Sequence, residues 1–279
     1  MKIPEHISYS QFNTYTQCPR NWYLSYIRKA QQVQTWYLPI GTAVHQMVEE
    51  HLKGVPRYDG QPPKAEDFFY PLVSAQMEIE PDLSKWMAGG KKDDPCVEGK
   101  ALQKVKDCFE RALDFLDDMD VWEVEHDASG RLPGLSVPVK AFVDIIGEHK
   151  KYGPVILDWK TGSKKPSNNF QLETYAALLR SGNGPWSDLN FKGLWAMLDP
   201  NASTARPVDL SAVDPAEAGA KYQKAREGME SMQIQAKPAN FKCEFCFNNV
   251  NCLDSYTAGE LPTERAMYYD RSKQDQPPF

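Results

Sequence analysis

In the segment PVILDWKTG, Asp158 and Lys160 stand two residues apart. Side chains two apart in a strand share a face, so the pair emerges on one side and Trp159 on the other. The apolar approach Val155–Ile156–Leu157 drives this strand into a core and brings the two charges out near its end. Asp144 belongs to VPVKAFVDIIG, an alternating strand whose other face is Val137, Val139, Ala141, Val143 and Ile145, and is expected at that strand's end. Two carboxylates and an ammonium converging at a sheet edge have a chemical use. The acids offer hard oxygen ligands to Mg²⁺ or Mn²⁺. Such a cation polarises a phosphate and lowers the pKa of a bound water. The ammonium positions that water and stabilises charge on phosphorus. A purely structural Asp–Lys pair at a strand end has the same spacing, and spacing alone leaves it open.

Other side chains have the same double reading. His45 lies on GTAVHQMVEEHLKG, read as a helix capped by Thr42, with Val44, Met47, Val48 and Leu52 as its buried stripe and Glu49 one turn beyond the histidine. HQMVEEH is not the H-E-x-x-H signature, which excludes a zinc protease of that type. Gln171 and Tyr175, four apart on the helix SNNFQLETYAALLRSG, project the same way. Of six cysteines, Cys18 stands alone, Cys96 and Cys108 lie between, and Cys243, Cys246 and Cys252 crowd into C-x₂-C-x₅-C. In a chain with no secretory signal these are thiols or metal ligands rather than disulfides. Cys108 falls within an apolar stripe and reads as a small core residue.

These residues need elements to hold them. SYSQFNTYTQCPRNWYLSYI reads as a helix capped by Ser10 that runs to Cys18–Pro19, where the proline ends it or starts a second short helix. The stretches 54–63 and MAGGKKDDPCVEG read as loops, and 100–119 has helical apolar period. VWEVEHD, VPVKAFVDIIG and PVILDWKTG then follow as strands, the Gln171 helix intervenes, and FKGLWAMLD is a further strand. DPAEAGAKYQKAREGMESMQ is a helix with Asp214 as cap, Pro215 at its first position and Glu217 completing a capping box. Helices, then strands interrupted by a helix, then helices again give an α/β fold with a mixed central sheet flanked by helices.

The chain has 279 residues and a net charge of −6. That acidity argues against a protein that coats nucleic acid but not against a nuclease, since binding follows the local field. No apolar run approaches the ~20 residues of a membrane span. The N-terminus lacks a signal core, so a cytoplasmic location without membrane contact is expected.

Taken in order, His45, Asp144, Asp158–Trp159–Lys160 and Gln171–Leu172–Glu173–Thr174–Tyr175 resemble the RecB-like branch of the PD-(D/E)XK nucleases. That pattern is a helical His, a strand Asp, D-x-K in the next strand and Q-x-x-x-Y in the following helix. One early cysteine plus C-x₂-C-x₅-C near the C-terminus resembles the iron–sulfur members, the CRISPR-associated RecB-like exonucleases and AddB-type nuclease domains. The resemblance covers residues 8–256, and most of 54–120 matches only as helical filler. One departure is Ala141, where the family often has glycine three residues before its strand Asp.

The resemblance implies a restriction-endonuclease-like core within 31–200 of a single nuclease domain spanning 1–279. It implies an iron–sulfur clasp of 1–30 with 238–256, and leaves 257–279 as a polar tail. Cys18, Cys243, Cys246 and Cys252 would ligate a [4Fe–4S] cluster, a Cys₄ zinc site being the alternative that spacing leaves open. His45, Asp144, Asp158 and the backbone carbonyl of Trp159 would hold Mg²⁺ or Mn²⁺, Lys160 would be the catalytic lysine, and Gln171 and Tyr175 would orient DNA or the active-site side chains. The implied reaction is hydrolysis of DNA phosphodiesters, exonucleolytic on single strands or ends. The rival is a non-catalytic DNA-binding accessory protein of recombination or repair that keeps the clasp and fold. Arg20, Arg28, Lys91–Lys92 and Lys164–Lys165 are candidate phosphate contacts. The tail QDQPPF resembles the tip of bacterial single-strand-binding proteins, which suggests a contact with replication or repair proteins.

Overall fold

A computed structural model describes residues 2–54, 63–87, 90–91, 94–182, 184–202, 207–238, 243 and 245–252. The chain opens with β1 (Ile7–Ser8), α1 (Tyr9–Gln17), α2 (Pro19–Trp22) and a π-helical turn (Tyr23–Ile27). Three helices follow, α3 (Tyr37–Leu52), α4 (Ala65–Met77) and α5 (Glu98–Leu116), with the two-residue strands β2 (Gly90–Lys91) and β3 (Asp94–Pro95) before the last. Then come β4 (Met119–Asp127), β5 (Val139–Lys140), β6 (Phe142–His149), β7 (Gly153–Lys160), α6 (Phe170–Ser181), β8 (Lys192–Met197), β9 (Pro207–Asp209) and α7 (Pro215–Glu230).

The central sheet has the order β4-β6-β7-β8-β9. Its β7–β8 pair is parallel and the other pairs are antiparallel, so the sheet is mixed. α6 is the crossover that a parallel β7–β8 pair requires. One apolar core unites Val143, Ile146, Ile156 and Trp195 of the sheet with α6, α7 and the N-terminal Tyr15 and Trp22. The other unites Ile145, Val155, Leu157, Trp159 and Leu194 with α3, α4 and α5. At Gly147 an added Cβ would lie 2.4 Å from the Asp120 carbonyl oxygen, so glycine lets β4 and β6 approach beside the register shift between Val121 and Glu123.

Several sequence expectations hold, and several shift. Pro19 is the first residue of α2, Cys108 is fully buried, and Asp214 caps α7 by accepting from the Ala216 N–H at 2.8 Å. The first cap, however, is Ser8 rather than Ser10; its Oγ accepts from the Gln11 N–H at 3.2 Å. α3 starts at Tyr37, so Thr42 lies inside the helix; Pro39 in the first turn, where no N–H is needed, lets it begin early. VPVKAFVDIIG is two strands parted at Ala141, and Asp144 is the third residue of β6 rather than a strand end. β6 runs antiparallel to β7, so its beginning is the end that lies beside Asp158. Part of the loop expected around Gly90 pairs as β2–β3. The helix α4 and the edge strand β9 were not anticipated. Residues 253–279, including the tail, and Lys92 lie outside the described residues.

Candidate functional site

The β6–β7 ladder runs from His149↔Gly153 to Ile145↔Leu157 and stops there. One residue further, Asp144 and Asp158 occupy the point where the two strands part. The ladder is replaced by a side-chain bond: Asp144 Oδ2 accepts from the Trp159 N–H at 2.7 Å. Both carboxylates are withdrawn from solvent, Asp144 at 8% exposure and Asp158 at 2%.

The Asp158 carboxylate is held on Oδ1 by hydrogen bonds, whereas its buried Oδ2 accepts none. Lys160 Nζ forms an ion pair with its Oδ2. Its Oδ1 accepts from Gln171 Nε2 at 2.7 Å and from the Tyr175 hydroxyl at 3.3 Å. Gln171 Nε2 also donates to the Tyr175 oxygen at 2.8 Å, and Gln171 Oε1 accepts from Lys160 Nζ at 3.3 Å. The lysine nitrogen lies 5.0 Å from the centre of the Trp195 ring, a cation–π distance. Thus Asp158, Lys160, Gln171 and Tyr175, singled out on spacing, form one hydrogen-bonded group. Burial pushes Asp158 above the ordinary carboxyl range, the Asp144 charge adds to this, and Lys160 opposes both. Burial and the Asp158 charge push the Tyr175 hydroxyl upward as well.

On the other side of Asp144, His45 Nδ1 of α3 stands 3.5 Å from Oδ1. Burial disfavours the imidazolium, but the hydrogen bond to Asp144 and the charges of Asp144 and Asp158 outweigh it and raise His45 to about 9. A residue the sequence reading missed joins here. Glu125 of β4 lies between the pairs Val124↔Ile145 and His126↔Val143, which sets it opposite Asp144. Burial and then the Asp144 charge push its carboxyl up to about 7. One ligand atom each from His45, Glu125 and Asp144 lies within 4.8 Å of the others. The sequence signal for Glu125 was only an acidic residue in VWEVEHD, and its partner depends on a pairing register that the sequence does not state.

The terminal segments meet away from this site. Val33 N–H donates to the Phe247 carbonyl at 2.9 Å, and Asn248 Nδ2 donates to Asn21 Oδ1 and Ser25 Oγ, each at 2.7 Å. Cys18 Sγ accepts from the Lys237 N–H at 3.4 Å. Cys18, Cys243, Cys246 and Cys252 line one open cavity of about 720 Å³ together with Asn248 and Asn249. Burial raises the Cys246 thiol to about 11, with the other three cysteines adding to the shift and an Asn248 backbone hydrogen bond opposing it. Among the described residues no three of these sulfurs lie within 4.8 Å of one another. Of the candidate phosphate contacts, Lys164 and Lys165 are exposed on the connector that leaves Lys160, and Arg28 is exposed near the N-terminal turn. Trp22 and Tyr23 are buried, packing residues rather than exposed stacking platforms. No helix among the described residues is long and apolar enough to cross a membrane.

The family model for the PD-(D/E)XK nuclease superfamily matches residues 6–252, and the chain belongs to that superfamily. It is similar to the Gene 69 protein of Mycobacterium phage D29, 26% identical over 275 residues, covering 90% of this chain and 97% of that protein. The solved structure titled "Crystal structure of SSO0001" aligns with a TM-score of 0.37 and 16% identity, over 76% of this chain and 94% of that one.

Proposed function

We propose that this chain is a divalent-cation-dependent deoxyribonuclease that digests single-stranded DNA or DNA from its ends. The observation that carries the reading is the meeting of Asp144, Asp158 and Lys160 where β6 and β7 part, within a chain of the PD-(D/E)XK superfamily. His45, Asp144, Asp158 and the Trp159 carbonyl are the proposed cation ligands. The carboxylate and carbonyl oxygens suit Mg²⁺ or Mn²⁺, with one imidazole nitrogen beside them, and the burial of two acids side by side fits a site built around a cation. When bound, the cation supplies Lewis-acid activation of the phosphate and of the attacking water.

The chain's own residues do the positioning. The Trp159 N–H fixes one oxygen of Asp144 and so turns the other toward His45. Gln171 and Tyr175 fix Asp158 from behind, which holds it in one rotamer. Lys160, neighbour to both Gln171 and Asp158, is the proton-bearing group that orients the attacking water and stabilises charge on phosphorus. Lys164 and Lys165 are proposed to hold the phosphates beyond the cut.

The four cysteines are proposed to hold a [4Fe–4S] cluster that clasps the two chain ends. The reading is supported by the presence of Cys18, Cys243, Cys246 and Cys252 on one cavity. Iron and acid-labile sulfide in the anaerobically purified protein support it, and stoichiometric zinc without iron refutes it.

Digestion of end-labelled single- and double-stranded DNA with Mn²⁺, and with EDTA, tests the activity. Cleavage that needs the cation and releases products from the labelled end is expected. Cleavage that persists in EDTA refutes the cation requirement, and cutting of circular single-stranded DNA, which has no end, refutes the exonucleolytic part.

A further inference from the structure

We infer that Glu125 is a direct ligand of the divalent cation, completing with His45 and Asp144 a three-residue site that the sequence pattern of the family does not contain. The inference rests on the cation-dependent reading above and deepens it. Among the described residues, His45, Glu125 and Asp144 are the group whose ligand atoms all lie within 4.8 Å of one another, the spread of donors around one ion. Asp158 is outside that group. Its Oδ1 accepts from Gln171 and Tyr175, and its Oδ2 pairs with Lys160 without accepting a hydrogen bond.

Glu125 has no such commitment. Its carboxylate has no hydrogen-bond or ion-pair partner among the described residues, although it is partly buried and faces a second carboxylate across the β4–β6 pair. Two acids brought together without a cation repel each other, and a half-buried acid without a partner forgoes its hydration. The positive groups that act on Glu125 are His45, whose Nδ1 sits beside Asp144, 3.5 Å from Oδ1, and Lys53, which is paired with Glu49. Glu125 also holds φ +52, a left-handed backbone conformation uncommon for a non-glycine residue in mid-strand.

The test is Mn²⁺ binding to the full chain by calorimetry, with thermal melts in EDTA and in Mn²⁺, for wild type and Glu125→Gln. The amide keeps the size and removes the charge. Mn²⁺ affinity is expected to fall at least tenfold. In EDTA the variant is expected to melt no lower than wild type, because a repulsion is gone, whereas the added stability that Mn²⁺ confers shrinks. Unchanged Mn²⁺ affinity in Glu125→Gln overturns the inference while leaving the nuclease reading intact if cleavage remains cation-dependent. A lower melt in both EDTA and Mn²⁺ with unchanged affinity assigns Glu125 a structural role and overturns it too. No Mn²⁺ binding by wild type overturns the inference and the cation-dependent reading together.

Discussion

Gln171 offers a sharp test of how the Asp158 group works, because one amide serves three partners. It donates to Asp158 Oδ1 at 2.7 Å and to the Tyr175 oxygen at 2.8 Å, and accepts from Lys160 Nζ at 3.3 Å. Gln171→Met keeps the length of the side chain and deletes all three bonds. The bond to the charged Asp158 contributes about 1.5–3 kcal/mol, the long bond from Lys160 about 1.5 and the neutral bond to Tyr175 about 0.5–1.5, so a loss of ~3.5–6 kcal/mol is expected. In a domain of this size that lowers Tm by roughly 7–24 °C. The freed Asp158 keeps Lys160 and the 3.3 Å bond from Tyr175 but loses its single geometry. A fall in kcat of roughly 10–100-fold is expected, with KM little changed, since the proposed phosphate contacts, Lys164 and Lys165, lie elsewhere. Tyr175→Phe removes the long bond to Asp158 and the bond from Gln171 but leaves Gln171 on Asp158, so it should cost less in both measures. Melting curves and single-turnover cleavage on an end-labelled strand read both quantities. Gln171→Met with wild-type kcat refutes the positioning role, and Tyr175→Phe more damaging than Gln171→Met refutes the assignment of Gln171 as the principal contact.

Three further outcomes follow from structure outside the site. Asp199, 4% exposed, pairs with Lys104 Nζ at 2.6 Å; burial works against its charge, but the bonds from Lys104 and the Asn201 N–H hold its pKa below the ordinary value. A depressed carboxyl stabilises the fold above its unfolded pKa of about 3.9 and loses that contribution as pH falls through the lower folded value, so the Tm gap between wild type and Asp199→Asn should close as pH falls below about 4. A gap independent of pH refutes this. In Gly219→Ala the new methyl would lie 2.1 Å from the Pro133 carbonyl oxygen. It should cost about 2–3 kcal/mol in a urea titration, and a neutral result means that the 132–135 turn yields freely. Cys108 is fully buried with its thiol pushed up to about 12, so native protein at pH 8 should leave it unalkylated by iodoacetamide while unfolded protein does not. Modification of Cys108 in the native protein would contradict its place in the core.

Much of the site is legible in the sequence because its members sit close together in the chain. Asp158 and Lys160 share a face by strand parity, and Gln171 and Tyr175 share a face by helical period. The short β7–α6 connection brings those faces together. Glu125 was illegible for the opposite reason: what matters is which β6 residue it faces, and the pairing register across an intervening loop and a register shift fixes that. The place of Asp144 was misread because the strand VPVKAFVDIIG looks continuous, whereas the backbone parts at Ala141 and begins its ladder with β7 only at Ile145. α4 was missed because Pro71 interrupts its interior, which removes a backbone donor and weakens the helical signal. The meeting of the cysteine segments rests on side-chain amides such as Asn248 that carry no sequence pattern of their own.

The most direct measurement compares DNA cleavage in Mn²⁺ by wild type, Asp158→Asn and Lys160→Ala, each first verified as folded by a cooperative melt above the assay temperature. Wild type is expected to cut, and each variant to lose at least 10³-fold in rate, on the order of 4 kcal/mol of transition-state stabilisation. Folded variants that cut at the wild-type rate would contradict the assignment of the chemistry to the point where β6 and β7 part.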